Sequence, residues 1–274
     1  MNVPKPNGRR IRRGITPACI PGPATARLAA VLLVLAVALT GCSVMLTPVP
    51  EGAPTHATTQ TAATPEDAVA HFLAGLAQAD MDQVLATSAV DEMSARFDFT
   101  GALERTGMLL PVETLAPARH PFFVDANHAR LTAQLTTQVK LLAYALLTAG
   151  EVNGPQPLPL DPAQAAELAP VLDPARLAAL EVRRVDIPRA SLMDSNVYQE
   201  QAATRAAIYG ADESTERIAL VAFDGRTYAL GFSLLRYGPH WTISDMSSPL
   251  AGLGAFDGAV PATEDDFAAM LDQE

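Results

Sequence analysis

The candidates for acid–base chemistry in this chain are four of its five histidines, together with two aspartates that fall in predicted strands. His71 stands beside Phe72 on a predicted helix, which favours a partly buried, hydrogen-bonded structural histidine over a general base. The other three fall at predicted strand ends or turns, and no pair has the spacing of metal ligands: His120, His128 and His240. Asp186 and Asp245 would face a cavity only if strand parity turns them inward, and we expect acids that face solvent in so acidic a chain. The sequence therefore leads us to assign no catalytic residue, no metal and no cofactor.

Other common chemistries have no motif here. The chain lacks a glycine-rich phosphate loop between strand and helix, and it lacks a Gly-x-Ser-x-Gly elbow. Nucleotide chemistry and serine hydrolysis are disfavoured on that ground.

The thiol of Cys42 ends a segment with the layout of an export signal. Six basic residues and no acid precede it, an apolar run covers Leu28–Leu39, and small residues follow. Those twelve apolar residues rise about 18 Å as a helix, short of the roughly 30 Å hydrocarbon core, which disfavours an uncleaved transmembrane anchor. The sequence Leu39-Thr40-Gly41-Cys42 resembles the lipobox of bacterial lipoproteins. The resemblance implies cleavage between Gly41 and Cys42 and lipid on the Cys42 thiol, with palmitate among the acyl chains. It also implies an anchor on the extracytoplasmic side of the cell membrane.

Removal of the predicted signal peptide leaves a strongly acidic chain. The whole sequence has 19 basic and 30 acidic residues, and loss of the six basic residues leaves a formal charge of −17. Such a charge argues against nucleic-acid binding and against adhesion of the folded surface to anionic lipid headgroups. Cys19 departs with the signal and Cys42 takes the lipid, so no thiol remains for a disulfide, a zinc site or a nucleophile.

Composition and patterning predict four regions. They are a signal peptide at residues 1–41, the lipidated cysteine with a flexible tether at 42–63, an α+β domain at 64–250 and an acidic C-terminal tail at 251–274. Thr64-Pro65 predicts a helix start, with an apolar stripe through Ala68, Val69, Phe72, Leu73 and Leu76. Asp80 predicts the cap of a second short helix, and residues 91–108 are predicted helical in pieces.

Residues 131–141 fit either a helix or a strand, and the choice controls the fold. Apolar residues alternate with polar ones there, whereas a helical stripe through Leu131, Leu135, Leu142 and Leu146 leaves Val139 off the apolar face. We predict a strand, preceded by a short strand at 121–124 and a turn at 125–127. Six prolines between residues 142 and 176 predict an irregular insertion with short helical turns at Asp161-Pro162 and Asp173-Pro174.

The C-terminal half is rich in predicted strands. A strand at 180–187 and a helix at 196–209 precede a two-residue hairpin at Asp224-Gly225 and a further strand at 240–246. Near the end, Phe267, Met270 and Leu271 have helical spacing, which suits a docking helix. We favour an acidic disordered tail there, because so short a helix is marginal in water.

This order of elements resembles the nuclear transport factor 2-like superfamily, whose cystatin-like fold is a cone. The resemblance rests on the opening Thr64-Pro65-Glu66-Asp67, on the Asp224-Gly225 hairpin and on the closing residues 238–243. It implies N-terminal helices packed on a curved antiparallel sheet that lines a concavity, with the proline-rich helical insertion at about 142–176 as a departure. Trp241 is expected to anchor the sheet against a helix, with the wall of a ligand pocket as the alternative.

Three functions remain open. The chain is expected to be a lipid-anchored accessory or binding lipoprotein, which holds a small apolar ligand or docks on an envelope protein. Some relatives implied by the resemblance are steroid isomerases and dehydratases, so the second reading is an enzyme that uses a carboxylate in the cone. The third is a structural module that forms a homodimer through the open sheet face. An inward-facing carboxylate in an apolar cavity would favour the enzyme, and an exposed apolar sheet face would favour the dimer.

Overall fold

The computed structural model describes residues 62–271. The predicted signal peptide, the cleavage position Gly41–Cys42, the lipidation site Cys42 and the tether as far as residue 61 lie outside them. The described residues form an α+β domain in which helices pack on an open, curved antiparallel sheet, so the predicted fold class is confirmed. Within this range, no helix has both the length and the apolarity needed to cross a membrane.

Four short helices open the domain, as the sequence predicts. They are α1 (Pro65–Ala77), α2 (Met81–Ala86), α3 (Val90–Arg96) and α4 (Phe99–Thr106). Thr64 caps α1 by accepting a hydrogen bond on Oγ1 from Asp67 N at 3.1 Å. The buried stripe of α1 is the predicted one, and it brings Phe72 edge-on to Phe232 of the sheet, with ring centroids 5.6 Å apart. These contacts fix the first helix on the core.

One long helix, α5 (Pro121–Leu147), replaces the two strands and the turn predicted between residues 121 and 141, and those predictions are wrong. The helix forms because its buried side chains recur at helical spacing: Leu131, Leu135, Gln138, Val139, Leu142, Ala145 and Leu146. The threonines of this segment, which have a weaker helix propensity than most residues, lie toward the surface of α5, where Thr137 Oγ1 donates to the Ala133 carbonyl at 2.8 Å. At 27 residues α5 is about 40 Å long and spans much of the domain.

The proline-rich region starts later than predicted, because residues 142–147 belong to α5 and are not irregular. It contains α6 (Pro162–Val171) and a 3₁₀ helix (Pro174–Ala179). Both begin where an aspartate precedes a proline, as predicted. Asp161 Oδ1 accepts from Gln164 N at 2.9 Å, and Asp173 Oδ1 accepts from Ala175 N at 3.0 Å.

The sheet has strand order β1-β2-β3-β4, and a two-residue strand β5 pairs with β3. The strands are β1 (Glu181–Asp186), β2 (Glu213–Phe223), β3 (Arg226–Tyr237), β4 (His240–Asp245) and β5 (Val260–Pro261). Helices α7 (Ala190–Met193) and α8 (Asn196–Ile208) connect β1 to β2, and α8 matches the helix predicted there. The predicted two-residue hairpin is confirmed, since Phe223 pairs with Arg226 and both Asp224 and Gly225 have positive φ.

The C-terminal segment packs on the sheet, so the prediction of a disordered tail is wrong. Helix α9 (Glu264–Leu271) buries Phe267 completely against Ile218 and Leu220 of β2 and Ala229 of β3. Its first turn is closed by Thr263, whose Oγ1 accepts from Asp266 N at 3.1 Å. The sheet face offered for a homodimer is therefore covered at these strands by the chain itself.

A buried carboxylate holds the loop between β4 and α9. Glu216 on β2 is 1% exposed, and its Oε2 accepts from Ser248 Oγ at 2.8 Å and from Leu250 N at 3.0 Å. The loop approaches β3 so closely that a Cβ placed on Gly231 would lie 2.5 Å from Ser248 N. Only glycine fits there.

Candidate ligand-binding cleft

A cleft of about 610 Å³ lies where α3, α4, α5 and α8 meet the adjoining parts of β3 and β4. Its apolar side chains are Met93, Phe97, Ala102, Leu115, Leu131, Ile208 and Pro249. The charged and phenolic groups are Arg105, Glu113, Arg130, Arg205, Tyr209 and Asp245, and hydroxyl and amide side chains complete the wall: Thr106, Thr114, Gln134, Ser233, Ser244 and Ser247. A volume of this size is typical of sites for small organic molecules, and the mixed lining suits a molecule with both apolar and polar groups.

Asp245 is the last residue of β4, and a buried glutamine of α5 fixes its side chain. Gln138, 2% exposed, donates from Nε2 to Asp245 Oδ1 at 2.6 Å and accepts on Oε1 from Met246 N at 3.3 Å. Ser247 Oγ donates to Asp245 Oδ2 at 3.2 Å. The long helix and the end of the sheet thus hold this carboxylate in the wall of the cleft.

Burial raises the pKa of the Asp245 carboxyl above its usual value. The hydrogen bonds from Gln138, Ser247 and Met246 oppose the rise, and so does the positive charge of Arg205, but burial is the larger effect. A carboxylate in such surroundings holds a proton more readily than one in water. It is therefore better suited than an ordinary aspartate to take up a proton and return it.

Tyr209 faces the same cleft at the C-terminal end of α8. Its ring packs against Phe97 with centroids 5.9 Å apart, and burial followed by the charge of Asp245 raises the pKa of its hydroxyl. Arg205, one turn earlier, lowers that pKa and donates from Nη1 to Ser233 Oγ at 3.4 Å. A carboxylate, a phenol and a guanidinium are thus brought to one cavity by β4 and α8.

Of the two aspartates considered from the sequence, the structure brings only Asp245 into the cleft. Asp186 lies on β1 and accepts a hydrogen bond on Oδ2 from Arg184 Nε at 2.5 Å. Arg184 also lies over the ring of Phe267, 5.4 Å from its centroid. Asp186 therefore belongs with the surface that contacts α9.

The histidines do not converge on the cleft. His71 is half-buried on α1, as predicted, and its Nδ1 has no hydrogen-bond partner among the described residues. His120 caps α5 by accepting on Nδ1 from Phe122 N at 3.1 Å. His128 lies within α5 and not at a strand end or turn, with its Nε2 3.1 Å from Asp91 Oδ1. His240 begins β4. In residues 62–271, no group of three or more His, Cys, Asp or Glu side chains is placed to hold a metal ion.

Trp241 is a core residue, as expected from the sequence. It is 9% exposed and belongs to the main hydrophobic core, and it is absent from the linings of both clefts described here. Its backbone N donates to Ala62 O at 3.0 Å, which joins the start of the described chain to β4.

Sequence reasoning missed three groups that shape the cleft: Gln138, Tyr209 and Arg205. Gln138 was counted among the polar positions of a strand, although helical phase places it three residues after Leu135 and four before Leu142. Arg205 and Tyr209 are four residues apart at the end of α8, a spacing that puts them on one side of a helix. Helical phase was thus the available signal for all three.

A second cleft, of about 510 Å³, lies beside the N-terminal turn of α4. It is lined by aromatic and basic side chains that include Arg96, Phe97, Phe99, Arg119, His120 and Phe123. It contains Asp98 as its acidic group, and that side chain already accepts from Gly101 N at 3.1 Å as the cap of α4. This cleft offers no free acid–base pair.

Comparisons with known proteins add little to this picture. No known protein family matches the chain, and no curated protein matches it. Among solved structures, the chain is similar to a cystatin-like protein from Ruminococcus gnavus ATCC 29149, with 16% sequence identity and a TM-score of 0.47. The likeness covers 78% of this chain and 44% of that protein, so this chain spans less than half of its length.

Proposed function

We propose that this chain is a lipid-anchored extracytoplasmic lipoprotein whose nuclear transport factor 2-like domain binds a small ligand with both apolar and polar groups in the 610 Å³ cleft. The observation that carries the ligand-binding role is the combination, in one cavity, of several apolar side chains with Asp245, Tyr209 and Arg205. The anchor rests on the residues that end at Cys42. We propose a small molecule and not an envelope-protein partner, because the cleft supports the first and no comparable feature of the described residues supports the second.

The anchor is tested by replacing Cys42 with Ala and labelling cells with radioactive palmitate. The wild-type protein takes up label and migrates at the mature size, whereas Cys42→Ala takes up none and stays at the precursor size. Unchanged labelling of the variant contradicts the assignment of Cys42.

Ligand binding is tested with cis-parinaric acid, a fluorescent fatty acid whose polar end would meet Arg205. Loss of a hydrogen bond to a charged group costs about 1.5–3 kcal/mol, so Arg205→Gln should weaken binding by about 10- to 100-fold. The control is Arg183→Gln, because the Arg183 side chain is 54% exposed and pairs with Glu181 on β1, away from the cleft. Absence of saturable binding by the wild type, or equal affinity of Arg205→Gln, contradicts the proposal.

A second candidate function is favoured by the raised pKa of Asp245. In an isomerase- or dehydratase-type reaction, Asp245 would take a proton from a carbon of the ligand and return it elsewhere, while the Tyr209 hydroxyl donates to the oxygen on which charge develops. A β,γ-unsaturated ketone is a direct probe, since the conjugated product absorbs in the ultraviolet.

The enzymatic reading requires Asp245→Asn to abolish conversion and Tyr209→Phe to slow it, with His71→Gln as a control outside the cleft. Conversion that survives in Asp245→Asn rules out Asp245 as the base, and absence of conversion by the wild type leaves binding as the function of the cleft.

A further inference from the structure

We propose that an exposed apolar surface beside the cleft inserts into the interfacial region of a lipid bilayer, and this inference rests on the lipid anchor proposed above. The surface, which we call the apolar rim, consists of the loop after α4 and the first turn of α5: Met108, Leu109, Leu110, Val112, Phe122 and Phe123. Within residues 62–271, no other part of the chain covers these six side chains.

The exposure of the apolar rim is large for such side chains. Val112 is 83% exposed, Phe122 68% and Met108 59%, and the remaining three lie between 41% and 52%. Single exposed apolar residues are ordinary on protein surfaces, but a run of four in five consecutive positions is not. Water contact with this surface is unfavourable, and an apolar phase would relieve it.

Three backbone carbonyls of the loop are already hydrogen-bonded within the chain, which lowers the cost of entry into a bilayer. Thr106 Oγ1 donates to the Met108 carbonyl at 2.9 Å, and the Leu110 carbonyl accepts from Glu113 N and Thr114 N. The guanidinium of Arg130 on α5 donates to the Val112 carbonyl. These three carbonyls thus do not depend on water for a partner.

The local charge also differs from that of the whole chain. Residues 105–124 contain two arginines and a single glutamate, and the acids Glu104 and Asp125 adjoin them, whereas the exported sequence has a formal charge of −17. The overall charge disfavours adhesion of most of the surface to anionic headgroups, and this nearly neutral segment contributes little to that repulsion. Arg105 and Arg119 are available to phosphate groups at its two ends.

The position where the chain enters the domain is connected to the apolar rim by a short run of contacts. Ala62 bonds to Trp241, and the neighbouring residue His240 pairs with Tyr237. The guanidinium of Arg96 lies over the Tyr237 ring, 5.0 Å from its centroid, and Arg96 shares the second cleft with Phe123. Twenty peptide units separate Ala62 from Cys42 and span at most about 70 Å, so the tether of an anchored chain is long enough to let the apolar rim reach the bilayer.

Insertion would place the mouth of the 610 Å³ cleft at the membrane surface. Thr106 on one side of the loop, and Glu113 and Thr114 on the other, line that cleft. An apolar ligand would then pass between the acyl chains and the cleft without crossing water. The chemical class that this geometry predicts is a lipid-derived amphiphile.

The test uses the complete lipoprotein reconstituted in vesicles of phosphatidylethanolamine and phosphatidylglycerol. Leu109→Cys carries a bimane fluorophore, and the matched control is Val197→Cys on α8, where the native side chain is 66% exposed. We expect a nitroxide-labelled lipid to quench the probe at position 109, and iodide in the water to quench it at least about fivefold less than the probe at 197. A third variant, Leu109→Cys with Leu110→Gln and Val112→Gln, should restore quenching by iodide, since each apolar side chain lost weakens insertion by about tenfold.

Two readouts on the same sample separate failure of this inference from failure of the anchor. Mass spectrometry of the N-terminal peptide reports lipid on Cys42, and the fluorophore reports the loop. Lipid on Cys42 with equal iodide quenching at 109 and 197 overturns insertion and leaves the anchor standing. Absence of lipid overturns the anchor, and the loop inference then stands only if position 109 remains shielded on the vesicles.

Discussion

Replacement of Phe267 by Ala should show that the last helix is a structural part of the domain. Phe267 is 0% exposed, and it is the one buried residue of the eight in α9. An isolated helix of that length is marginal in water, so α9 depends on this contact with Ile218, Leu220 and Ala229. Truncation of a buried phenylalanine costs about 3–5 kcal/mol. For a domain of this size, each kcal/mol lowers Tm by about 2–4 °C, so Phe267→Ala should lower it by roughly 6–20 °C.

The assay combines thermal unfolding with hydrogen exchange of the backbone amide of Phe267, which donates to Thr263 O at 3.0 Å. Phe122→Ala is the matched control, because that ring is 68% exposed and its loss should change stability by no more than about 0.5 kcal/mol. Phe267→Leu should fall between the two. The reasoning is refuted if Phe267→Ala unfolds within the error of Phe122→Ala and the α9 amides exchange as slowly as in the wild type.

Two further changes test the cleft and the loop that follows β4. Because the folded protein binds the Asp245 proton more tightly than the unfolded chain does, the carboxylate lowers stability as pH rises from the usual aspartate range through the raised pKa, and the loss is complete above it. Asp245→Asn should therefore gain more unfolding free energy over the wild type at pH 7 than at pH 4 in urea titrations, and an equal gain at both would be inconsistent with a raised pKa. Gly231→Ala should release the loop at Ser248, which a Cβ would approach to 2.5 Å, and speed hydrogen exchange at the Ser248 and Leu253 amides. Gly238→Ala, at a positive φ with open space around it, should strain its own turn and leave those two amides protected.

Local signals in the sequence predicted the elements whose structure is decided locally. The Thr64 cap, the stripe of α1 and the Asp224-Gly225 hairpin need only nearby residues, and all three are confirmed. Their physics is short-ranged, because a cap bonds within one turn and a type I′ turn fixes the register of its own strands.

The errors occurred where distant contacts decide. Residues 131–141 alternate between apolar and polar types, but Gln138 is buried to hold Asp245, 107 positions further along the chain. A strand makes Gln138 solvent-facing, and only the helical phase of α5 places it on the buried side. The cleft was missed for the same reason, since Tyr209 and Asp245 come together through the packing of α8 against the sheet.

The order of the final helix, α9, also depends on distant contacts, and its local sequence did not predict it. Its propensity alone is too weak to predict an ordered helix, and its stability comes from Ile218 and Leu220, about fifty residues earlier. Apolar residues on both faces of β2 were the available hint. A strand that is buried on both sides needs two covering layers, and within residues 62–271 α9 and the loop before it cover Ile218 and Leu220 on the second side.

The hydrogen bond between Trp241 N and Ala62 O determines how the domain would respond to a pulling force applied at its N-terminal end. A force applied at Ala62 acts first on this isolated bridge and next on the hydrogen bond by which Thr64 caps α1. The β2–β3 ladder, continuous from Glu213 to Phe223, lies beyond that point and bears the load last. Mechanical failure would thus begin at the first helix and leave the central hairpin standing.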